Sequence, residues 1–300
     1  MAWDQSPDRH QSSGVSDNRF DPLAARLYDR KLMKGVILAG GYGTRLMPMT
    51  RVTNKHLLPV YDRPMVYFPI ESLITAGVTE ILLVTGGNSP GAFLELLGNG
   101  RELGLKELSY TYQRGAGGIA EALGLAEDFA DGQPIAVILG DNIFENGIDR
   151  VAAEYDEQLR RHAGHGARIA LKQVNHPQRF GVPRFERLDD VGAPTGRILE
   201  IIEKPKDPPS RYAVIGLYLY DASVFEIIRG LKPSARNELE ITDVNNAYLQ
   251  RGELEYSMLD GWWSDAGTIE SLHHASGLVA TRGANGKGPA RRDGAATDDD

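Results

Sequence analysis

The sequence predicts the α/β class: a single Rossmann-like domain whose mostly parallel central sheet is flanked by helices, with a smaller antiparallel portion following. Three observations lead there. Apolar runs at residues 35–39, 80–85 and 135–139 lack polar alternation, as strands buried on both faces do. Segments with helical spacing lie between them, and a β-α-β-α order favours parallel strands joined by crossovers. From residue 169 onward the strands follow one another with fewer helices between them.

Residues 1–33 are polar, are broken by Pro7, Gly14 and Pro22, and have few aliphatics to bury. They are expected to form a flexible extension, with Leu23, Leu27 and Met33 as a short amphipathic lead-in. No apolar core follows a basic start, so the extension does not read as a secretory signal. The domain itself is placed at 34–280. Strands are predicted at 35–39 (GVILA), 80–85 (EILLVT), 109–113 (SYTYQ) and 135–139 (IAVIL), with helices at 65–76, 92–97, 119–130 and 148–162. In the third helix Ile119, Leu123, Ala126 and Phe129 share one face. Strands at 169–174, 182–185, 198–202 and 212–220 come next, then helices at 222–229 and 239–250 and a last one from Thr268. Residues 281–300, rich in Gly, Ala, Arg and Asp without periodicity, read as a disordered tail.

Composition narrows the function. The 300 residues contain no cysteine, which removes disulfides, thiolate catalysis and cysteine-based metal sites. No apolar run reaches the roughly 18 residues a membrane span needs, so neither a membrane nor a transmembrane partner is expected. The net charge of −8 argues against nucleic acid as a partner. Acidic and basic residues balance at five each in 1–33 and four each in 281–300, so the whole excess lies in the domain. The seven histidines are scattered, and the pairs His162/His165 and His273/His274 lack partners at metal-ligand spacing.

In an open α/β sheet, ligands gather where strands end. After the first strand comes Gly40-Gly41-Tyr42-Gly43-Thr44-Arg45, with Lys55 ten residues beyond Arg45. Glycines bare the backbone N–H groups to a polyphosphate, and two cations beside them suit a triphosphate or a leaving pyrophosphate. The loop is not a P-loop, because no Lys-Ser/Thr follows a glycine at that spacing, and Leu46 breaks the dinucleotide fingerprint. Without further context it serves equally as a tight turn. Asp141, just past the 135–139 strand, is either a metal ligand or a turn aspartate, and Asp265 is either a ligand or a helix N-cap.

Taken together, Lys34–Met65 (KGVILAGGYGTRLMPMTRVTNKHLLPVYDRPM), Gly140-Asp141-Asn142, Arg179–Val182, Glu203-Lys204-Pro205, Tyr212–Tyr220, Glu238–Tyr248 and Trp263–Thr268 resemble the sugar-1-phosphate nucleotidylyltransferases. The similarity is greatest to the short-form glucose-1-phosphate thymidylyltransferases. The resemblance implies a nucleotidyltransferase domain with an antiparallel sugar-binding portion, and attack of a sugar 1-phosphate oxygen on the α-phosphorus of a nucleoside triphosphate. It makes Arg45, Lys55 and Lys204 catalytic and places Gly40, Gly41, Gly43, Thr44, Gln113 and Gly118 on the nucleotide. Gly181, Glu203, Lys204 and Val214 would hold the sugar phosphate, and Asp141 and Asp265 would hold Mg²⁺. A cytoplasmic homo-oligomer, specifically a dimer, is the implied setting.

The substrate pair implied is dTTP with glucose 1-phosphate. Departures from the family pattern keep GTP, UTP or ATP, and another sugar or a cyclitol 1-phosphate, open. Ala116 and Gly117 replace a usual proline and acidic residue, Ile215 a usual threonine beside the sugar, and Phe180 a frequent tyrosine. Gln113 is bidentate for thymine or uracil and, flipped, serves other bases. Trp262 and Trp263 read as core or pocket wall. A rival from another class is an NAD(P)-dependent oxidoreductase, since Gly115–Ala120 fits G-x-G-x-x-A; Asp141 then lies 26 residues from Gly115, beyond the usual spacing of about 20. A catalytically dead homologue is opposed by the joint presence of Arg45, Lys55, Asp141, Lys204 and Asp265.

Overall fold

Apolar side chains that alternate along a strand must be covered on both faces, and that requirement organises this molecule. A computed structural model describes residues 33–284. The expected extension lies outside the described residues except for its last residue, Met33, which is buried in the core and not flexible; the part of the expected tail beyond residue 284 lies outside them too. In chain order the strands and helices are β1 (Lys34–Ala39), β2 (Pro59–Val60), β3 (Arg63–Pro64), α1 (Tyr67–Thr75), β4 (Glu80–Gly86), α2 (Gly91–Leu97), β5 (Glu107–Gln113), α3 (Ile119–Gly124), α4 (Glu127–Ala130) and β6 (Ile135–Leu139). There follow β7 (Asn142–Phe144), α5 (Asp149–Arg161), β8 (Ala167–Gln173), β9 (Gly181–Phe185), β10 (Ile198–Glu203), β11 (Tyr212–Tyr220), α6 (Val224–Gly230), α7 (Ile241–Arg251), β12 (Leu254–Met258), β13 (Trp263–Asp265) and α8 (Ile269–Ala284).

Strands β5, β4, β1 and β6 run parallel in that spatial order. On β1, Ile37 and Ala39 enter one core while Val36 and Leu38 enter the other. The first core is covered by α1, α2 and α5, through residues such as Leu73, Phe93 and Tyr155. The second is covered by α3, α4, α6 and α7, through Leu123, Ala130, Phe225 and Val244. Each fully buried aliphatic contributes roughly 1.5–3 kcal/mol, so an unbroken GVILA run stabilises both layers at once.

The antiparallel portion is hung on β11. Its carboxyl half pairs with β6 (Leu217↔Ile138 to Tyr220↔Ile135), and its amino half touches β9 at Val214↔Gly181. On its other edge β11 pairs with β8, with an irregularity between Val214 and Tyr218, and β10 adds to β9. All nine β11 residues are buried, and Tyr218, Tyr220 and Tyr248 stack in sequence within the second core.

Three expectations need correction. The 119–130 helix is two short helices, α3 and α4, although on its apolar face Leu123 and Ala126 stay fully buried and Ile119 and Phe129 partly so. The 239–250 helix starts only at Ile241, because Glu240 is extended and Leu239 exchanges backbone hydrogen bonds with Gly117 (2.7 Å) and Ala120 (3.1 Å). The last helix continues to Ala284, past residue 280. The ribbon β7–β13 and strand β12 were not foreseen. No helix among the described residues is long and apolar enough to cross a membrane.

Candidate active site

Two adjoining cavities open where β1, β4, β5 and β6 end. One, of about 310 Å³, is lined by Gly40, Gly41, Lys55, Gln113 and Gly118. The other, of about 290 Å³, is lined by Gly181, Glu203, Lys204, Val214 and Asp265. Arg45, Ile119, Leu139, Asp141 and Glu238 belong to both. All but two of the residues the sequence singles out are thus brought together. Gly43 and Thr44 line neither cavity: a Cβ at Gly43 would meet Thr50 at 2.8 Å and Lys55 at 3.0 Å, so this glycine lets the loop pack down.

The first cavity is floored by backbone. The loops after β1 and β4 touch so closely that a Cβ at Gly86 would lie 3.1 Å from Gly40 Cα, and one at Gly87 2.7 Å from Gly41 O. Buried Asn54 ties them by donating to Gly86 O (2.8 Å). Gly118 has φ of +100°, and its missing side chain would strike Leu239 O at 2.5 Å rather than point into the cavity. It is a glycine because the 238–240 segment docks there. Gln113 is buried, and its Nε2 donates to Gly118 O (3.1 Å) and to Glu121 Oε2 (2.6 Å). The amide NH₂ is used internally, so the bidentate reading of Gln113 does not hold in this arrangement.

Asp141 stands in the wall the cavities share, and Asp265 lines the second cavity with it. Asp141 occupies the turn from β6 to β7, and its Oδ2 accepts from Lys55 Nζ at 2.5 Å while its Oδ1 accepts from Asn142 (3.0 Å). Burial by itself would raise this carboxyl; Lys55 and these hydrogen bonds overcome that and hold it well below the usual carboxylate range. Asp265 arrives from a distant part of the chain because β13 pairs with β7 in the register Asp265↔Asn142. Its carboxyl is raised by burial and by the charge of Asp141, against the pull of Arg179 and Arg45. It is not the helix cap: Thr268 Oγ1 accepts from Ser271 N (3.2 Å) at the start of α8. A Cβ at Gly267 would meet Arg45 Nη2 at 3.2 Å and Asp141 Oδ2 at 3.5 Å, which shows how tightly these groups converge.

The second cavity is lined by charge. Lys204 takes a left-handed backbone (φ 44°) at the end of β10, a strained conformation for a side-chain-bearing residue. Its Nζ lies 3.3 Å from Glu203. Glu203 also accepts from Thr242 Oγ1 (2.6 Å) and Arg236 Nη2 (3.2 Å). Phe180 packs edge-on to Trp263 with ring centroids 5.5 Å apart. Trp263 Nε1 donates to Asn142 Oδ1 (2.7 Å), which also accepts from Gly216 N (3.0 Å). Ile215, by contrast, is buried in the first core and does not line the cavity, so its departure from threonine leaves the pocket wall unchanged.

The family model described as nucleotidyl transferase matches residues 34–282. The chain belongs to the nucleotidyl transferase family. A glucose-1-phosphate thymidylyltransferase of Neisseria meningitidis is 43% identical over 253 residues, covering 83% of each chain. One from an Actinoplanes species is 44% identical, over 82% of this chain and 78% of its own. A solved structure described as a glucose-1-phosphate thymidylyltransferase of Bacillus anthracis, in complex with sucrose, superposes with a TM-score of 0.74 at 49% identity, covering 82% of this chain and 94% of that one. A UDP-glucose pyrophosphorylase bound to UDP-glucose superposes at 0.69 with 28% identity, over 83% and 99%. The oxidoreductase alternative falls with this membership, and its glycines follow edge strand β5 rather than β1.

The transferase also places in this cleft residues that sequence reasoning missed. Arg179 and Arg236 line the second cavity, Arg179 reaching Asp265 at 3.3 Å and Arg236 reaching Glu240 at 2.7 Å. Tyr218, on the buried strand β11, lines it too. His56, beneath the wall, is buried; burial and the charge of Lys55 push its imidazole down to about 3, so it is neutral. The Lys-His pair inside the Asn54–Leu58 stretch was the available signal for His56, and two arginines flanking resemblance motifs were the signal for the others.

Proposed function

We propose that this transferase condenses a nucleoside triphosphate with a sugar 1-phosphate, and that its substrates are dTTP and glucose 1-phosphate. The observation that carries the reading is the pair of adjoining cavities with Arg45 and Asp141 in their common wall. The names of the relatives supply the substrate pair. Two substrates held on either side of one wall have reacting atoms brought together without a diffusional encounter, which is where most of the acceleration of such transfers arises.

A sugar phosphate oxygen attacks the α-phosphorus, the bond to the bridging oxygen breaks, and pyrophosphate leaves with its charge. The attacking phosphate is already ionised at neutral pH, so no side chain removes a proton. Lys204, helped by Arg179 and Arg236, holds the sugar phosphate, and Glu203 with the Gly181 and Val214 backbones faces the sugar hydroxyls. Gly40 and Gly41 bare the loop to the triphosphate, Arg45 takes its outer phosphates, and Lys55 sits at the α-phosphate. Preorganised cations at developing charge are the main device of such sites.

Asp141 and Asp265 are the residues that would hold Mg²⁺. They fit it: both are hard oxygen donors lining the second cavity, and the charge of Asp141 raises the carboxyl of Asp265, a repulsion that a divalent cation relieves. No cluster of three or more Asp, Glu, His or Cys among the described residues is placed to hold an ion alone, so phosphate oxygens would complete the shell. When bound, the ion neutralises phosphate charge and orients the leaving group.

The test is pyrophosphate release when a panel of nucleoside triphosphates is crossed with sugar and cyclitol 1-phosphates in Mg²⁺. Turnover confined to dTTP with glucose 1-phosphate is the expected result; UTP, GTP or ATP in its place overturns the base, and no release with any pair overturns the reaction. We place the enzyme in the cytoplasm as a homodimer, and a single-chain mass by light scattering counts against the dimer.

A further inference from the structure

We propose that Glu121 is a positioning residue that locks the Gln113 amide with its carbonyl toward the base, making the enzyme select thymine or uracil over cytosine. The inference rests on the thymidylyltransferase reading above. A glutamine amide is nearly the same shape either way round, so something must decide whether the cleft meets an acceptor or a donor. Here the decision is made by two groups that only accept. Gly118 O and the Glu121 carboxylate take hydrogen bonds from Nε2, at 3.1 Å and 2.6 Å. A flipped amide would set its oxygen against both, one of them an anion. The carbonyl is left over Gly40, a cavity-lining glycine whose Cβ would meet Gln113 Oε1 at 2.8 Å and, apart from that amide, nothing within 4 Å. No donor among the described residues occupies Oε1.

An acceptor held there suits the N3–H of thymine or uracil. Cytosine presents an unprotonated N3 at that place, and two acceptors facing each other repel. Selectivity by an unpaired or repelled polar group is stronger than selectivity by shape. Glu121 itself does not line the cavity, so it acts through Gln113. The chain makes room for it: Gly117, which departs from the family pattern, has a Cβ direction that runs into the Glu121 carboxylate. Any side chain at 117 would displace the carboxylate.

The experiment measures kcat/KM for dTTP and dCTP with glucose 1-phosphate in the wild type and in Glu121→Gln, whose own amide can turn to accept or donate. The ratio dTTP/dCTP is expected to fall at least tenfold, through the nucleotide KM values, while the KM for glucose 1-phosphate and the kcat on dTTP stay within about twofold. Gly117→Ala, which keeps the carboxylate but pushes it aside, is expected to lower the ratio in the same direction and serves if the first variant folds poorly. In a Gln113→Ala background, Glu121→Gln is expected to change the ratio no further. A helix-stabilising role alone would lower Tm and leave the ratio unmoved. A wild type that prefers dTTP, with an unchanged ratio in both folded variants, overturns this inference alone. A wild type that prefers a purine triphosphate overturns the substrate reading and the inference with it.

Discussion

The two halves of the cleft are made of different material. The half proposed for the nucleotide is backbone against backbone: Gly86 and Gly87 pressed on Gly40 and Gly41, Gly118 pressed on Leu239, and one amide fixed by internal hydrogen bonds. The half proposed for the sugar phosphate is side-chain charge: Lys204 and Arg236 both leaning on Glu203, with Arg236 also on Glu238 and Glu240. Backbone that touches backbone has no room to adjust, so this half is preformed. Ion pairs among half-exposed side chains are individually worth little and exchange partners readily, so the second half can be rearranged by its ligand. Damage should therefore take different forms on the two sides, as lost fold and nucleotide binding on one and as a raised sugar-phosphate KM on the other.

The largest effect is expected where the halves meet. Asp141→Asn and Asp265→Asn should each lower kcat by about a thousandfold, on the order of 4 kcal/mol, and chelation of Mg²⁺ by EDTA should abolish turnover of the wild type. Pyrophosphate release by the purified variants measures this. A variant that keeps kcat and shifts the KM of one substrate would assign its aspartate to that substrate alone. Next in size is Gly118→Ala. A backbone near φ +100° and ψ 175° is essentially reserved to glycine, and the added carbon meets a backbone oxygen, so about 3 kcal/mol of stability should go, roughly 10 °C in Tm. Calorimetry with a dTTP titration checks it, and an unchanged Tm would refute the rigid half.

Lys204→Ala should be milder: a sugar-phosphate KM raised roughly tenfold to a hundredfold, about 1.4–3 kcal/mol, with the KM for dTTP within twofold and Tm barely altered. An equal rise in both KM values would erase the contrast. The smallest effect concerns acid. His56 is neutral and buried beneath the nucleotide half with its pKa down at about 3, whereas in the unfolded chain it titrates near 6.5. The unfolded state thus binds the extra proton between those values, and the stabilisation present above pH 6.5 is lost as pH falls toward 3. Between pH 7 and pH 5 the loss should be about 2 kcal/mol. His56→Gln should flatten that part of the Tm–pH curve; an unchanged curve would place the acid sensitivity elsewhere.

Most of the sheet was legible because its signal is local. A run such as IAVIL, apolar at every position, has only one economical use, between two helical layers. The helix at 119–130 was misjudged for the same reason: its apolar face continues through Leu123, Ala126 and Ala130 even though the backbone turns between α3 and α4. The close packing of the loop after β1 was legible through its glycines. What stayed hidden was pairing at long range. Nothing in the three-residue strands β7 and β13 announces that Asp265 comes to lie beside Asn142, more than a hundred residues away. Nor does the spacing of the 234–240 segment show that it docks on Gly118. Arg236 and Glu121 were missed because their meaning depends on partners that only folding supplies.

Strand β11 pairs along one half with β6, next to the Asp141 turn, and touches β9, at the foot of the Glu203–Lys204 arm, with the other. A single covalent strand is therefore the ruler between the two proposed substrate sites. At its midpoint Gly216 admits no side chain, since a Cβ there would lie 2.7 Å from both Asn142 and Leu139. Such a layout separates two problems for evolution. The arm formed by β9 and β10 can exchange side chains to accept a new sugar, while the gap across which the phosphate must travel stays calibrated.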